Sequence, residues 1–318
     1  MESPQNIKKR LKSVDNINKI TKAMEMVAAT KMRKSQEIAL SSRPYAFLAL
    51  DFLATISSLD QKLPELFEKR DVKKVLFVLV SSDKGLAGAF NSSVFRKFEL
   101  HMKEGPKGKP EDYAHEEKLY VAVGEKAFNY LSKKGYNVIK KFTSVGDYTT
   151  PEQVKPLTEF LVEGYLSKKW DRVVAISTHF RSALKQETHV RRVLPIDFDH
   201  IKETVQQIIP ERGKFAELIK EHQISFVPDK AKLSEYLIEP SAEQVLQKLA
   251  EHLFFVQIYH LILEANASEH SARRMAMKTA SDNASDLGEA LNLQYNKSRQ
   301  SRITTEISEI SAGAEALN

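Results

Sequence analysis

The 318-residue chain contains no cysteine. That excludes disulfides, cysteine-zinc sites, iron–sulfur clusters and thiol catalysis, and leaves methionine oxidation as the only redox response of its side chains. Glycine and proline number 11 each, too few for a many-turned β-fold and well suited to long helices. No 18 consecutive apolar residues occur, so no segment reads as a membrane-spanning helix. The charged residues behind Met1 hold no apolar signal core, and secretion by that route is not expected. What the chain has in quantity is charge, 28% against 42% hydrophobic, the balance of a globular protein with exposed helices. Its length suggests two domains.

The net charge of +6 is unevenly spread. Residues 1–34 hold nine Lys/Arg and three Asp/Glu, so the other 284 residues sum to about zero. Residues 303–318 carry Glu306, Glu309 and Glu315 and no base. A basic start is therefore matched by an acidic, apolar finish.

Residues 5–43 contain no glycine or proline, and apolar residues recur at Ile7, Leu11, Val14, Ile17, Ile20, Met24 and Val27. Steps of three and four mark one helix face. Pro44 interrupts, and the pattern resumes through Phe47, Leu48, Phe52, Leu53 and Ile56. The spacing predicts a helix kinked at the proline and running to about Leu59, with Pro64 at its exit. The far end mirrors this. From Pro240 to Gly288 lie 47 residues without glycine or proline, and Pro240, Ser241 and Glu243 suit a helix start. Val245, Leu246, Leu249, Leu253, Val256, Leu263, Ala267, Met275, Leu287, Leu291, Ile303, Ile307 and Ile310 supply its seam. Such a helix, to about Ala312, spans roughly 108 Å, against about 80 Å for the first. Helices of this length need each other, as an antiparallel coiled coil. The difference in length leaves one end of the second helix exposed, which requires a partner surface.

Residues 70–240 change character. Val75-Leu76-Phe77-Val78-Leu79-Val80 is a continuous apolar run of the kind buried on both faces of a sheet. Residues 119–123 and 173–176 repeat it, with helical stretches at 92–102, 125–134 and 152–169 between. This alternation predicts a parallel, doubly wound α/β domain, with a strand or hairpin within 182–196 at its edge. Two charged segments, 103–118 and 199–223, read as surface insertions. The expected organisation is 1–62 as the first shaft helix, 70–239 as the α/β domain, and 240–318 as the second shaft helix pairing with 1–62.

No catalytic motif is present. No two glycines lie two apart and no Gly-Lys-Ser/Thr occurs, so the dinucleotide and phosphate-loop fingerprints are both absent. Gly85-Leu86-Ala87-Gly88 follows the first strand, where residues 81–91 form either an anion cradle or an ordinary strand-to-helix turn. His252 and His260 are eight apart on one helix face without a converging carboxylate set, and His115-Glu116-Glu117 lacks the second histidine of a zincin. Catalytic, cofactor and metal residues are all expected to be none. The basic first helix is compatible with a solvated face, with nucleic acid or with anionic lipid. No aromatic residue is interleaved before Tyr45, so nucleic acid is not an expected partner.

Four long blocks then become recognisable. NKITKAMEMVAATKMRKSQ (residues 18–36) looks like the amino-terminal helix of the gamma subunit of rotary ATP synthases. YNKSRQSRITTEISEISAGAEAL (residues 295–317) resembles that family's C-terminal signature, including Ile303-Thr304, Glu306, Glu309, Gly313-Ala314 and Ala316. SSDKGLAGAFN (81–91) and SEHSARRMAMKTASDNASDL (268–287) match as well, and the four blocks keep the family's order along the whole chain.

The resemblance implies a fold and a role. The fold is α/β plus a long antiparallel helical coiled coil made by the two termini, with a central doubly wound, Rossmann-like foot. The role is a rotor without a catalytic site, turning inside three alpha and three beta subunits, one copy per complex. Its foot meets the epsilon subunit and the membrane c-ring, so that ion flow is coupled to ATP synthesis or hydrolysis on beta. Arg299, Gln300 and Thr304 match positions that touch the moving domains of beta, with Glu306 and Glu309 nearby. Met24 and Lys31 match shaft positions near the same contact region, and Arg273 matches one that supports the shaft. The implied location is peripheral, on the cytoplasmic face of the bacterial inner (plasma) membrane. One departure is Ile224-Ser225-Phe226-Val227-Pro228-Asp229, where many members carry Tyr-x-Tyr-Glu-Pro-Asp. Plant chloroplast members carry a regulatory cysteine pair, and the absence of cysteine here favours a bacterial-type enzyme.

Overall fold

The computed structural model describes residues 3–41, 64–105, 116–147, 149–197 and 239–315. The expected kink at Pro44 and the helix beyond it lie outside these residues, as do the 199–223 insertion, the 224–229 departure and most of the 103–118 insertion. Two compact units are present: residues 1–29 with 273–318, and residues 30–272. Among the described residues, no helix is long and apolar enough to cross a membrane.

The larger unit holds a five-stranded sheet of β1 (Lys74–Val80), β2 (Glu117–Val123), β3 (Val138–Phe142), β4 (Arg172–Phe180) and β5 (Gln186–Leu194). Their order is β3-β2-β1-β4-β5. β1, β2, β3 and β4 pair in parallel, and β5 runs antiparallel along the β4 edge. The doubly wound expectation holds, and the edge strand falls within 182–196. β3 was not foreseen: Lys140 and Lys141 interrupt its short apolar pattern because it is itself an edge strand, exposed along part of its length.

Alternation along β1 divides the core. Val75, Phe77 and Leu79 pack with Val94 and Phe98 of α2 (Phe90–Glu104) and with Ala127 and Leu131 of α3 (Glu125–Lys133). Leu76, Val78 and Val80 face the other way. There they share a core with Leu157 and Leu161 of α4 (Pro151–Leu166) and with residues 246–265 of α5 (Ala242–Glu315). Gly164 of α4 is required by that packing, since a Cβ there would lie inside the Trp170 indole.

The smaller unit is a pair of helical segments. Its N-terminal part belongs to α1 (Pro4–Ser41), and its C-terminal part is the far end of α5. The two run antiparallel, because Ser281 Oγ donates to Asn18 Oδ1 at 2.5 Å while a Cβ on Gly288 would meet Val14 at 3.8 Å.

Candidate functional site

The coiled-coil seam differs from the one expected from hydrophobicity. Along α1 the covered positions are Ile7, Leu11, Val14, Asn18, Thr21, Glu25, Ala28, Met32 and Ser35, alternating steps of four and three. Along α5 they are Met277, Ser281, Ala284, Gly288, Leu291, Tyr295 and Ser298. Both follow a 3.5-residue repeat, the period of a left-handed coiled coil. Several of these residues are small or polar, which permits close approach and fixes the register. Glu25, for instance, lies on the seam with its carboxylate held 3.1 Å from Lys22 Nζ.

Ile17, Ile20 and Val27, expected on the seam, are 51%, 59% and 55% exposed. With half-buried Met24 they form a second apolar row on α1, offset from the seam. Met275 and Leu287 of α5 are likewise exposed rather than covered. The two rows lie one residue apart, and stepping from Val14 by three to Ile17 instead of by four to Asn18 passes from the seam to the exposed row while keeping helical spacing.

Beyond Ser298 the covered seam stops. Every residue from 299 to 313 is exposed, Ile303, Ile307 and Ile310 included. Arg299, Gln300, Thr304, Glu306 and Glu309 all lie on this stretch. Arg302 Nε donates to Glu306 Oε1 at 2.8 Å, and Thr304 Oγ1 donates to the Gln300 carbonyl at 3.0 Å. The structure does not bring Met24 to them: extending the Asn18–Ser281 register sets Met24 opposite about residue 276, some 35 Å along the helix from Arg299. Half-buried Arg273 lies close to the level of Met24.

Lys31 lies in the larger unit, its Nζ 2.7 Å from Asp147 Oδ1. Burial alone would raise the Asp147 carboxyl, but the hydrogen bond and charge of Lys31, with His270 and Lys84, hold it below its ordinary value. A second buried cluster joins α5 to the β4–β5 edge, where His179 Nδ1 lies 2.9 Å from Glu264 Oε2 and Arg191 Nη1 3.6 Å from the same oxygen. Burial opposes the Glu264 charge, yet His179, Arg191 and His260 keep its carboxyl low. His252 is exposed while His260 is buried, so the two do not converge on a common site.

The 81–91 segment is an internally bonded turn. Asp83 accepts from the Glu125 amide through Oδ1 and from the Ser144 amide through Oδ2, both at 3.0 Å. The chain's own carboxylate thus sits at the α3 N-terminus, where a phosphate is held in many doubly wound proteins. Ser82 and Asn91 close the turn by bonding each other, with Asn91 Nδ2 donating to Ser82 Oγ at 2.7 Å.

A family model described as "ATP synthase" matches residues 3–317. The ATP synthase gamma chain of Roseiflexus castenholzii is 34% identical over all of this chain and 99% of its own. That of Trichlorobacter lovleyi is 36% identical with the same coverage. The chain belongs to the ATP synthase gamma family. Solved structures agree with the gamma fold. In the Euglena gracilis mitochondrial ATP synthase, described as OSCP/F1/c-ring in rotational state 3, one chain matches with a TM-score of 0.61 at 18% identity, over 99% of this chain and 94% of that one. A chain of the Tetrahymena thermophila central stalk and c-ring structure matches with a TM-score of 0.52 at 21% identity, over 82% and 99%. Against this family frame, sequence reasoning missed the second apolar row of α1 and the polar seat of α5, whose partners lie far apart in the chain.

Proposed function

We propose that this chain is the rotating central stalk of an ATP synthase, coupling ion flow through a c-ring to ATP synthesis or hydrolysis on surrounding alpha and beta subunits. It carries no catalytic residue in this reading. One copy stands within three alpha and three beta subunits, with epsilon and the c-ring at the sheet-bearing unit. The parts are the N-terminal helix (1–62), the foot (70–239) and the C-terminal helix (240–318). The complex sits on the cytoplasmic face of a bacterial plasma membrane.

The observation that carries the reading is the exposed end of α5. Residues 299–313 continue as helix after their coiled-coil partner has stopped, with isoleucines 46 to 71% exposed beside Ala and Gly. A helix in water gains little from such residues, whereas an apolar sleeve covers them. Small apolar side chains also form no long-lived ion pair that would fix one angle. Arg299, Gln300, Thr304, Glu306 and Glu309 form one contact zone with beta in this reading, and Met24 a second one lower on the shaft, supported by Arg273. Lys31 acts through its tie to Asp147.

Co-expression with alpha and beta subunits tests the reading. The expected product is a complex of three alpha, three beta and one copy of this chain, with ATPase activity dependent on it. Elution of the chain alone, with ATPase indifferent to it, would contradict the assignment. Within the assembled enzyme, Arg299→Glu is expected to weaken ATP synthesis relative to hydrolysis, and normal synthesis would remove Arg299 from the contact.

A further inference from the structure

Residues 256–271 of α5 are buried on every side, although Gln257, His260, Glu264, Asn266, Ser268, Glu269, His270 and Ser271 lie among them. The apolar contacts of this segment resist its removal from the sheet but are not directional, and so oppose its turning only weakly. Its hydrogen bonds are directional, and two sets of them grip the surrounding unit.

The first set grips the loop between β3 and α4. Asn266 Nδ2 donates to the Val145 carbonyl at 2.8 Å and to Thr149 Oγ1 at 2.5 Å. Thr149 Oγ1 in turn donates to the Val145 carbonyl at 2.7 Å, and Tyr259 Oη donates to the Thr149 carbonyl at 3.0 Å. This loop is itself fastened. Its Ser144 amide donates to Asp83, which also accepts from the first amide of α3, and its Asp147 pairs with Lys31 of α1.

The second set grips the β4–β5 edge. Glu264 meets His179 and Arg191, and Ser271 Oγ donates to the Ala183 carbonyl at 2.7 Å. At 100° per residue, Tyr259 and Asn266 share one face of α5 and Glu264 and Ser271 another, roughly 140° away.

Building on the rotor reading, we infer that these two faces form a rotational key: they stop α5 from turning in its seat, so torque on the sheet-bearing unit reaches the shaft without slip. Asn266 and Thr149 are positioning residues on one side of the key, and Glu264 and His179 on the other. The bond from Lys31 to Asp147 brings α1 onto the same loop, so both shaft helices are referred to one anchor.

The test is made in the complete alpha–beta–gamma–epsilon complex, with a bead on the sheet-bearing unit and rotation followed under limiting ATP. Asn266→Leu with Thr149→Val removes the side-chain bonds of Asn266 and Thr149 while keeping apolar bulk, and leaves the bond from Tyr259 to the Thr149 carbonyl. The expected result is normal assembly and ATPase rate, with an angular spread at each dwell wider than the parental one, because that face loses most of its directional bonds. Thr149→Ser, which keeps the hydroxyl, should leave the spread at its parental width. Should the double variant fail to assemble, Asn266→Leu alone is read in the same way. An unchanged spread in an assembled variant overturns the key. The parental complex reads the rotor assignment separately, because a bead that does not rotate there contradicts that assignment and not the key.

Discussion

Residues 256–271 and 299–313 belong to one uninterrupted helix, yet every residue of the first stretch is buried and every residue of the second is exposed. Between them, residues 277–298 are covered on the heptad seam, with Ala280 half-buried beside it. The backbone is the same throughout, so what differs is the source of stability. The first stretch is held by a sheet core and hydrogen bonds on two faces, the middle by one seam against α1, and the last by its own helical hydrogen bonds. An isolated helix of that last length is marginal in water. One element therefore serves as anchor, shaft and exposed tip, and its side chains vary while its geometry does not.

Substitutions at the anchor should have the largest effect. Gly164→Ala drives a methyl into the Trp170 indole under α5, and is expected to cost about 3 kcal/mol or more. Thermal unfolding of the full chain should show it as a loss of the sheet-bearing unit's transition. An unchanged melting temperature would mean that the Trp170 pocket relaxes freely.

Glu264→Ala should cost nearly as much, about 3 kcal/mol at neutral pH, because it removes the buried carboxylate that pairs with His179 and lies 3.6 Å from Arg191. The parent carries the matching acid dependence. Glu264 and Asp147 both have carboxyls held below their ordinary values. Their stabilisation is fully present above the ordinary carboxylate range, about pH 4, and is lost as pH falls through the lower folded values. Urea unfolding across pH 7 to 3 should show the parent losing stability on acidification, and Glu264→Ala losing less.

The seam responds more mildly. Ser281→Ala removes the bond to Asn18 and should cost about 1 kcal/mol, read as earlier fraying of residues 277–298 by hydrogen exchange. The tip responds least: Ile307→Ser should leave the free chain's stability within about 0.5 kcal/mol. A larger loss in either measurement would mean that the three stretches are not independently stabilised.

How much of this was legible in the sequence depended on whether hydrophobicity carried the information. β1 was plain as six consecutive apolar residues buried on both faces. β3 was not, because two lysines occupy an edge strand that the sheet leaves exposed on one side. The seam was placed wrongly at Ile17, Ile20 and Val27, since the positions that close the coiled coil include Asn18, Thr21, Glu25 and Ser281, chosen for size and register rather than apolarity. The anchor left no local signal: Asn266 and Val145 are 121 residues apart in the chain. An exposed end of the second helix was expected from unequal helix lengths, and residues 299–313 are exposed.

The most direct test of one helix in three settings is hydrogen exchange along α5, in the free chain and in the complex with alpha and beta subunits. In the free chain, 256–271 should be strongly protected, 277–298 protected to an intermediate degree and 299–313 exchanged rapidly, with protection rising at 299–313 on assembly. Uniform protection along the whole free helix, or a tip whose exchange is untouched by assembly, would contradict this division into three settings.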